Sequence, residues 1–186
     1  MEILYIMKLP VNTIINGDSV EVLKTFPAES IDMIMFSPPY WGLRDYEVDK
    51  QIGNESTPLD YISNIVRLCK ELKRVLKPSG SMYIVVGDIY GGTGENKPEY
   101  GKKKTWHTDR TDKGLRYPTG SRKPKWSKIK STWIRSKQKL LMPDRIFIAL
   151  QEDSWLLRNK IIWSKPNPMP ESCNDRYTQS YEEIGF

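Results

Sequence analysis

Histidine is almost missing from this chain of 186 residues. His107 stands alone, which removes any catalytic or metal arrangement built on two histidines. Cysteine is nearly as scarce. Cys69 and Cys173 lie far apart and in no ligand-like spacing, so the chain reads as neither a disulfide scaffold nor a zinc module, and a reducing compartment is expected. No apolar run approaches the roughly 20 residues of a membrane span. The opening Met1-Glu-Ile-Leu-Tyr-Ile-Met is too short, and its flank too acidic, for a secretory signal. A cytoplasmic protein is the expectation.

What the chain does have is unevenly spread. Its length suits one domain with a real core. Net charge is +6, which favours a polyanionic partner. From Lys97 to Lys139, fifteen Lys and Arg stand against three acids, a net of +12, so the remaining sequence carries −6. Trp106, Tyr117, Trp126 and Trp133 are interspersed with Gly, Ser and Pro in that stretch. The pattern predicts a basic mobile insertion at about 91–139 that orders on a phosphate backbone, its aromatics free to stack. Lys102, Lys103, Lys104, Arg110, Arg122, Lys123, Lys125 and Lys128 are its candidate contacts to such a backbone. A solvated insertion without function is the plainer alternative.

The rest of the sequence alternates strand and helix signals. Ile31 to Phe36 is an apolar run of strand length, read as a buried strand of a parallel sheet. It ends at Ser37-Pro38-Pro39-Tyr40, because neither proline can donate to a ladder. Before it, Thr13–Ile15 is expected to be a short strand, and Asp18 or Ser19 to cap a helix over Val20, Val22, Leu23 and Phe26. After it, Gly42 to Thr57 reads as loop. Thr57-Pro58-Leu59-Asp60 then starts a helix with a cap, a first-turn proline and a carboxylate three residues on. Leu59, Ile62, Ile65, Val66, Cys69, Leu72 and Leu76 are its predicted core face, with Cys69 packing rather than reacting. Pro78-Ser79-Gly80 should stop that helix, and Ser81–Val86 should form a second buried strand ending at Gly87-Asp88. Pro143 is placed to open a helix faced by Ile146, Phe147 and Leu150. Trp155–Trp163 and the segment around Tyr181–Ile184 are the last predicted strands.

Open α/β sheets bind ligands beyond the carboxyl ends of their strands, so the Ser37–Tyr40 tip sits where such folds do chemistry. Fixed φ at both prolines makes the Ser37 hydroxyl and neighbouring carbonyls a stiff set of acceptors, and Tyr40 adds a flat ring. A planar heterocycle with an exocyclic amino group suits that tip. Accepting the amine's hydrogens draws a delocalised nitrogen toward a nucleophilic geometry, an interaction that strengthens in the transition state.

Phe36-Ser-Pro-Pro-Tyr-Trp-Gly-Leu-Arg-Asp-Tyr46 resembles the catalytic motif of the amino-methylating DNA methyltransferases. Within that family Ser-Pro-Pro-Tyr is commoner in the N4-cytosine enzymes and Asp-Pro-Pro-Tyr in the N6-adenine enzymes. Gly17-Asp-Ser, the helix followed by Lys-Pro-Ser-Gly, a strand and Gly-Asp, and above all Arg158 through Ile184 match the family in series. The resemblance implies a Rossmann-like α/β core, S-adenosylmethionine as methyl donor, double-stranded DNA as substrate, and a restriction–modification setting. It makes Ser37, Pro38, Pro39 and Tyr40 the catalytic candidates. Asn167, Glu171 and Arg176, in a proline-stiffened loop, become candidate contacts to a base edge or phosphate. Asp18 and Asp88 are candidates for positioning the cofactor or base, although each could equally cap a helix or turn.

The family's Phe-x-Gly-x-Gly turn after a strand has no counterpart. Gly92-Thr-Gly94 comes nearest and lacks both the phenylalanine and the helix. In the permuted arrangement the family calls β, the catalytic half comes first, and residues 1–186 match that half as a single partial domain, incomplete on its C-terminal side. The expectations are a truncated chain, a split enzyme completed by a second polypeptide, or a remnant that only binds DNA.

Overall fold

The computed structural model describes residues 9–91, 133–168 and 175–186. Lys102, Lys103, Lys104, Arg110, Arg122, Lys123, Lys125, Lys128 and Glu171 lie outside them.

Asp18 begins the first helix, α1 (Ser19–Lys24). Its Oδ1 accepts the amides of Val20 and Glu21 at 3.0 and 3.1 Å, two donors the helix cannot satisfy itself. Strand β1 (Ile31–Phe36) follows, then α2 (Pro58–Val75). The α2 start is local chemistry: Thr57 Oγ1 accepts the Asp60 amide at 3.1 Å and donates to Asp60 Oδ2 at 2.7 Å, with Pro58 in the first turn. Strand β2 (Leu76–Val86), α3 (Met142–Glu152), β3 (Lys160–Ser164) and β4 (Tyr181–Gly185) complete the described elements.

Among the described residues the strands form one mixed sheet in the order β1-β2-β4-β3. β1 and β2 are parallel, while β4 runs antiparallel to both β2 and β3. The core is built from Ile65, Cys69 and Leu72 of α2, Ile84 and Val86 of β2, and Ile146, Phe147 and Leu150 of α3, with Trp41 and Leu140.

Five expectations change. Thr13–Ile15 is not a strand, and Ile14 is almost fully exposed. β1 is an edge strand whose Met33 and Met35 remain 60% and 64% exposed, because only its Ile34 and Phe36 side meets the helical core. Pro78-Ser79-Gly80 does not separate helix from strand. α2 passes straight into β2 at Leu76, and the triplet forms a bulge in which Ile31 and Met33 pair with Leu76 and Ser81. Gly80 is needed there, since a Cβ would lie 2.7 Å from a Leu76 methyl and 3.0 Å from the Asp32 carbonyl. On α2, Leu59 is exposed whereas Tyr61, Leu68 and Val75 are buried. Finally, pairing in β3 begins at Lys160 rather than Trp155, because Trp155 and Leu157 turn inward onto the core first.

Of the predicted basic insertion, Gly91 and residues 133–139 fall among the described residues. Gly91 donates to the Gln138 carbonyl at 2.8 Å and accepts from the Lys137 amide at 2.9 Å, and Tyr90 pairs with Lys139. Trp133 packs against the core, with the Arg145 guanidinium 3.8 Å from its ring centre. Residues 133–139 therefore belong to the folded body.

Candidate functional site

β1 delivers Ser37 to the carboxyl end of the sheet, exposed, with Pro38 buried beneath it and Tyr40 half-buried. Trp41 anchors the tip: it is 2% exposed, and its Nε1 donates to the Glu55 carbonyl at 2.9 Å. The following loop folds back under it, with Gly42 donating to the Gly53 carbonyl at 2.7 Å. Gly53 takes φ +101°, and any Cβ there would meet the carbonyl oxygens of Pro39 and Tyr40 at 3.1 Å.

The Tyr40 ring lies against the end of β2. A Cβ on Gly87 would come within 2.5 Å of ring carbon Cε2, so glycine is what lets the tyrosine seat. Its hydroxyl donates to Glu182 Oε2 at 2.9 Å, and the Ser37 hydroxyl donates to the Tyr40 oxygen at 3.3 Å. Lys165 pairs with the other Glu182 oxygen. Burial, with the Glu182 charge adding to it, pushes the Tyr40 phenol up to about 12, against the lesser downward pull of the Ser37 hydrogen bond.

Asp88 stands one residue beyond Gly87, with a side chain 1% exposed. Its Oδ1 accepts the amides of Ile89 and Met142 at 2.8 and 2.9 Å. α3 has no cap of its own, because Leu141 at its N-cap is left-handed and contributes no side-chain bond. Asp88 fills that role across the fold. Among the described residues its Oδ2 has no hydrogen-bond partner, and it sits 3.6 Å from Lys139 Nζ. This buried oxygen keeps the capacity to accept a further hydrogen bond, with Lys139 as its described charge partner. That acceptor chemistry fits an aminated, hydroxylated cofactor such as a nucleoside-bearing methyl donor.

The structure brings Ser37, Pro38, Pro39, Tyr40 and Asp88 together at one edge. Asp18 caps α1 through Oδ1, one of its two expected roles. Asn167 is exposed after β3, and Arg176 lies with its guanidinium 3.9 Å from the Tyr90 ring centre. Sequence reasoning gave no role to Glu182 or Lys165. The signal available was a period of two in β4: Glu182 and Glu183 must face opposite sides of the sheet. Glu183, 5% exposed, indeed pairs with Lys160 at 2.6 Å, and Lys160 also meets Asp144 at 2.6 Å. Those two bonds, the one to Asp144 first, hold the Lys160 ammonium above its ordinary range.

The chain is similar to known proteins along most of its length. A family model described as DNA methylase matches residues 31–186. The type II methyltransferase M.Cfr9I of Citrobacter freundii is 38% identical over 172 residues, spanning 91% of this chain and 52% of the relative. M.SmaI of Serratia marcescens is 39% identical over 171 residues, spanning 92% and 53%. A shorter match, 38% over 73 residues, covers 39% of this chain and 24% of the DNA adenine methyltransferase YhdJ of Escherichia coli K12. The chain thus spans about half the length of the first two relatives. Among solved structures, PvuII DNA methyltransferase (cytosine-N4-specific) shares the fold at TM-score 0.55 and 22% identity, over 91% of this chain and 46% of that one. The putative DNA modification methylase TTHA0409 of Thermus thermophilus, solved with S-adenosyl-L-methionine, does so at TM-score 0.54 and 21% identity, over 91% and 49%.

Proposed function

The chain belongs to the DNA methylase family, and from that premise we propose that it carries the base-binding half of an enzyme that methylates an exocyclic amino group in DNA. N4 of cytosine is the favoured target and N6 of adenine the alternative. The observation that carries the reading is the exposed Ser37 hydroxyl. It is fixed at the end of β1 by two prolines and hydrogen-bonded to Tyr40 beneath the sheet's carboxyl edge.

The target base leaves the duplex at a cost of a few kcal/mol. Its amino group donates to Ser37 Oγ and the Pro38 carbonyl, and its ring lies against Tyr40. Both acceptors are held rigidly, so they favour the tetrahedral nitrogen of the transition state over the planar amine. The proposed cofactor, S-adenosylmethionine, supplies an electrophilic methyl group when bound. Asp88 Oδ2 is the group we assign to holding it, with Asp18 as a second candidate. Asn167 and Arg176 are assigned to the DNA, together with Glu171 and the lysines and arginines of 102–128. Serine in the first position of the tip supports cytosine by the family resemblance, while the YhdJ match keeps adenine as the second reading.

The test is product analysis. The full-length gene product is incubated with DNA and S-adenosylmethionine carrying a labelled methyl group, and the DNA is digested to nucleosides. Label in N4-methylcytosine is expected. Label in N6-methyladenine would overturn the base assignment, and unlabelled DNA the activity. Ser37→Ala should cut the rate by about 100- to 1,000-fold, the usual cost of a lost transition-state hydrogen bond.

A further inference from the structure

The target nitrogen gains a methyl group while still carrying two hydrogens, so one proton has to leave. We propose that this proton travels through Ser37 and Tyr40 to Glu182, making Glu182 the terminal base of the site. The inference rests on the methyltransferase reading above.

The direction of the hydrogen bonds is fixed by the groups themselves. An ionised carboxylate only accepts, so the Tyr40 hydroxyl gives its hydrogen to Glu182 Oε2 at 2.9 Å. The Tyr40 oxygen is then left as acceptor, and it takes the Ser37 hydrogen at 3.3 Å. With that hydrogen committed inward, the lone pairs of Ser37 are what the exposed tip presents to an incoming amine. The chain runs inward from exposed Ser37 to a Glu182 side chain only 18% exposed. Gly87 seats the tyrosine ring, and Lys165 holds the second carboxylate oxygen.

The step balances without a further reactant. As the carbon–nitrogen bond forms with the methyl group of a sulfonium donor, the N–H bond breaks and its proton goes to Ser37 Oγ. The original Ser37 proton moves to Tyr40 Oη, and the Tyr40 proton moves to Glu182 Oε2. Ser37 and Tyr40 end as they began, and Glu182 ends as a neutral acid. Because each oxygen gives up a proton as it receives one, no alkoxide or phenolate has to form. The methylated exocyclic nitrogen, cationic while it keeps both hydrogens, is a strong acid, so even a carboxylate held by a lysine is base enough. The neutralised Glu182 then leaves Lys165 as an unopposed charge, which favours release of the proton to solvent and resets the site.

The experiment uses single-turnover methyl transfer by the full-length gene product, comparing wild type with Tyr40→Phe, Glu182→Gln and the double variant. Tyr40→Phe keeps the ring and the Glu182–Lys165 pair, and Glu182→Gln keeps an acceptor that cannot take the proton. Each single variant should slow transfer about 100-fold, in the range of general acid–base catalysis, with DNA affinity unchanged. The double variant should be no slower than the slower single one, as for residues acting as a unit. Single variants near wild-type rate, or losses that multiply in the double variant, would overturn the relay. A second readout needs neither cofactor nor DNA: the Tyr40 Cζ resonance of the purified chain should shift on Glu182→Gln, and an unmoved resonance also overturns the relay. If wild type itself transfers no methyl group, the methyltransferase reading falls. If wild type is active and both single variants match it, only the relay falls.

Discussion

Asp88 Oδ1 receives the main-chain N–H of Met142 at 2.9 Å, so a residue at the end of β2 caps a helix that starts 54 positions later. The second oxygen of the same carboxylate has no hydrogen-bond partner among the described residues and faces the Lys139 ammonium at 3.6 Å. Asp88 is a capping residue and, in the proposed function, a cofactor-holding one, so its variants have to be read with both in mind.

Removing that cap should be measurable without any substrate. Asp88→Ala strips α3 of its only described side-chain cap and should cost about 1–2 kcal/mol in urea unfolding, the usual range for a lost N-cap. Asp88→Asn keeps an acceptor and should lose less. An alanine variant as stable as wild type would show that the α3 terminus is satisfied in another way.

Cys69 should be silent to thiol reagents in the folded protein. Burial, with a smaller push from Asp153, raises its thiol to about 12, so almost none is thiolate at pH 8. In a Cys173→Ala background, labelling should require unfolding and should track urea denaturation. Rapid labelling under native conditions would contradict the packing of α2 against the sheet.

Tyr40 carries a pH signature. Its folded pKa of about 12 exceeds the ordinary 10.0, so the unfolded chain loses this proton first. The stabilisation from the neutral phenol is therefore complete below pH 10 and is lost as pH rises toward 12. Urea midpoints measured from pH 9 to 11 should fall less steeply in Tyr40→Phe than in wild type. Identical slopes would mean that the phenol is not held neutral.

Much of this was readable in the sequence where the cause is local. Thr57, Pro58 and Asp60 announce α2 because a cap, a fixed φ and a reciprocal hydrogen bond all act within four residues. Pro143 does the same for α3, and two prolines end β1 after Phe36. What was not readable depends on distant partners. Met33 and Met35 look like core in a run of apolar residues, yet whether they are buried depends on what packs across that face. Trp155 has the composition of a strand, but its contacts pull it onto the helices. The bulge at Pro78–Gly80 follows from the pairing of Ile31 with Leu76 and of Met33 with Ser81, which no helix-stop rule anticipates. Glu182 is the sharpest case, since its partner Tyr40 lies 142 positions away. Nothing near Glu182 in the sequence names that partner.

Strand β4 places two adjacent glutamates on opposite faces, one under Tyr40 and one against Lys160. A slip of one residue in its pairing would exchange them. Glu183 would then point at the tyrosine while Glu182 entered the helical side. The lysines that neutralise both charges are spaced to match a single alignment. A slipped strand therefore carries a mismatched carboxylate into the helical side, away from the lysine that neutralises it, and the folding equilibrium disfavours that alignment.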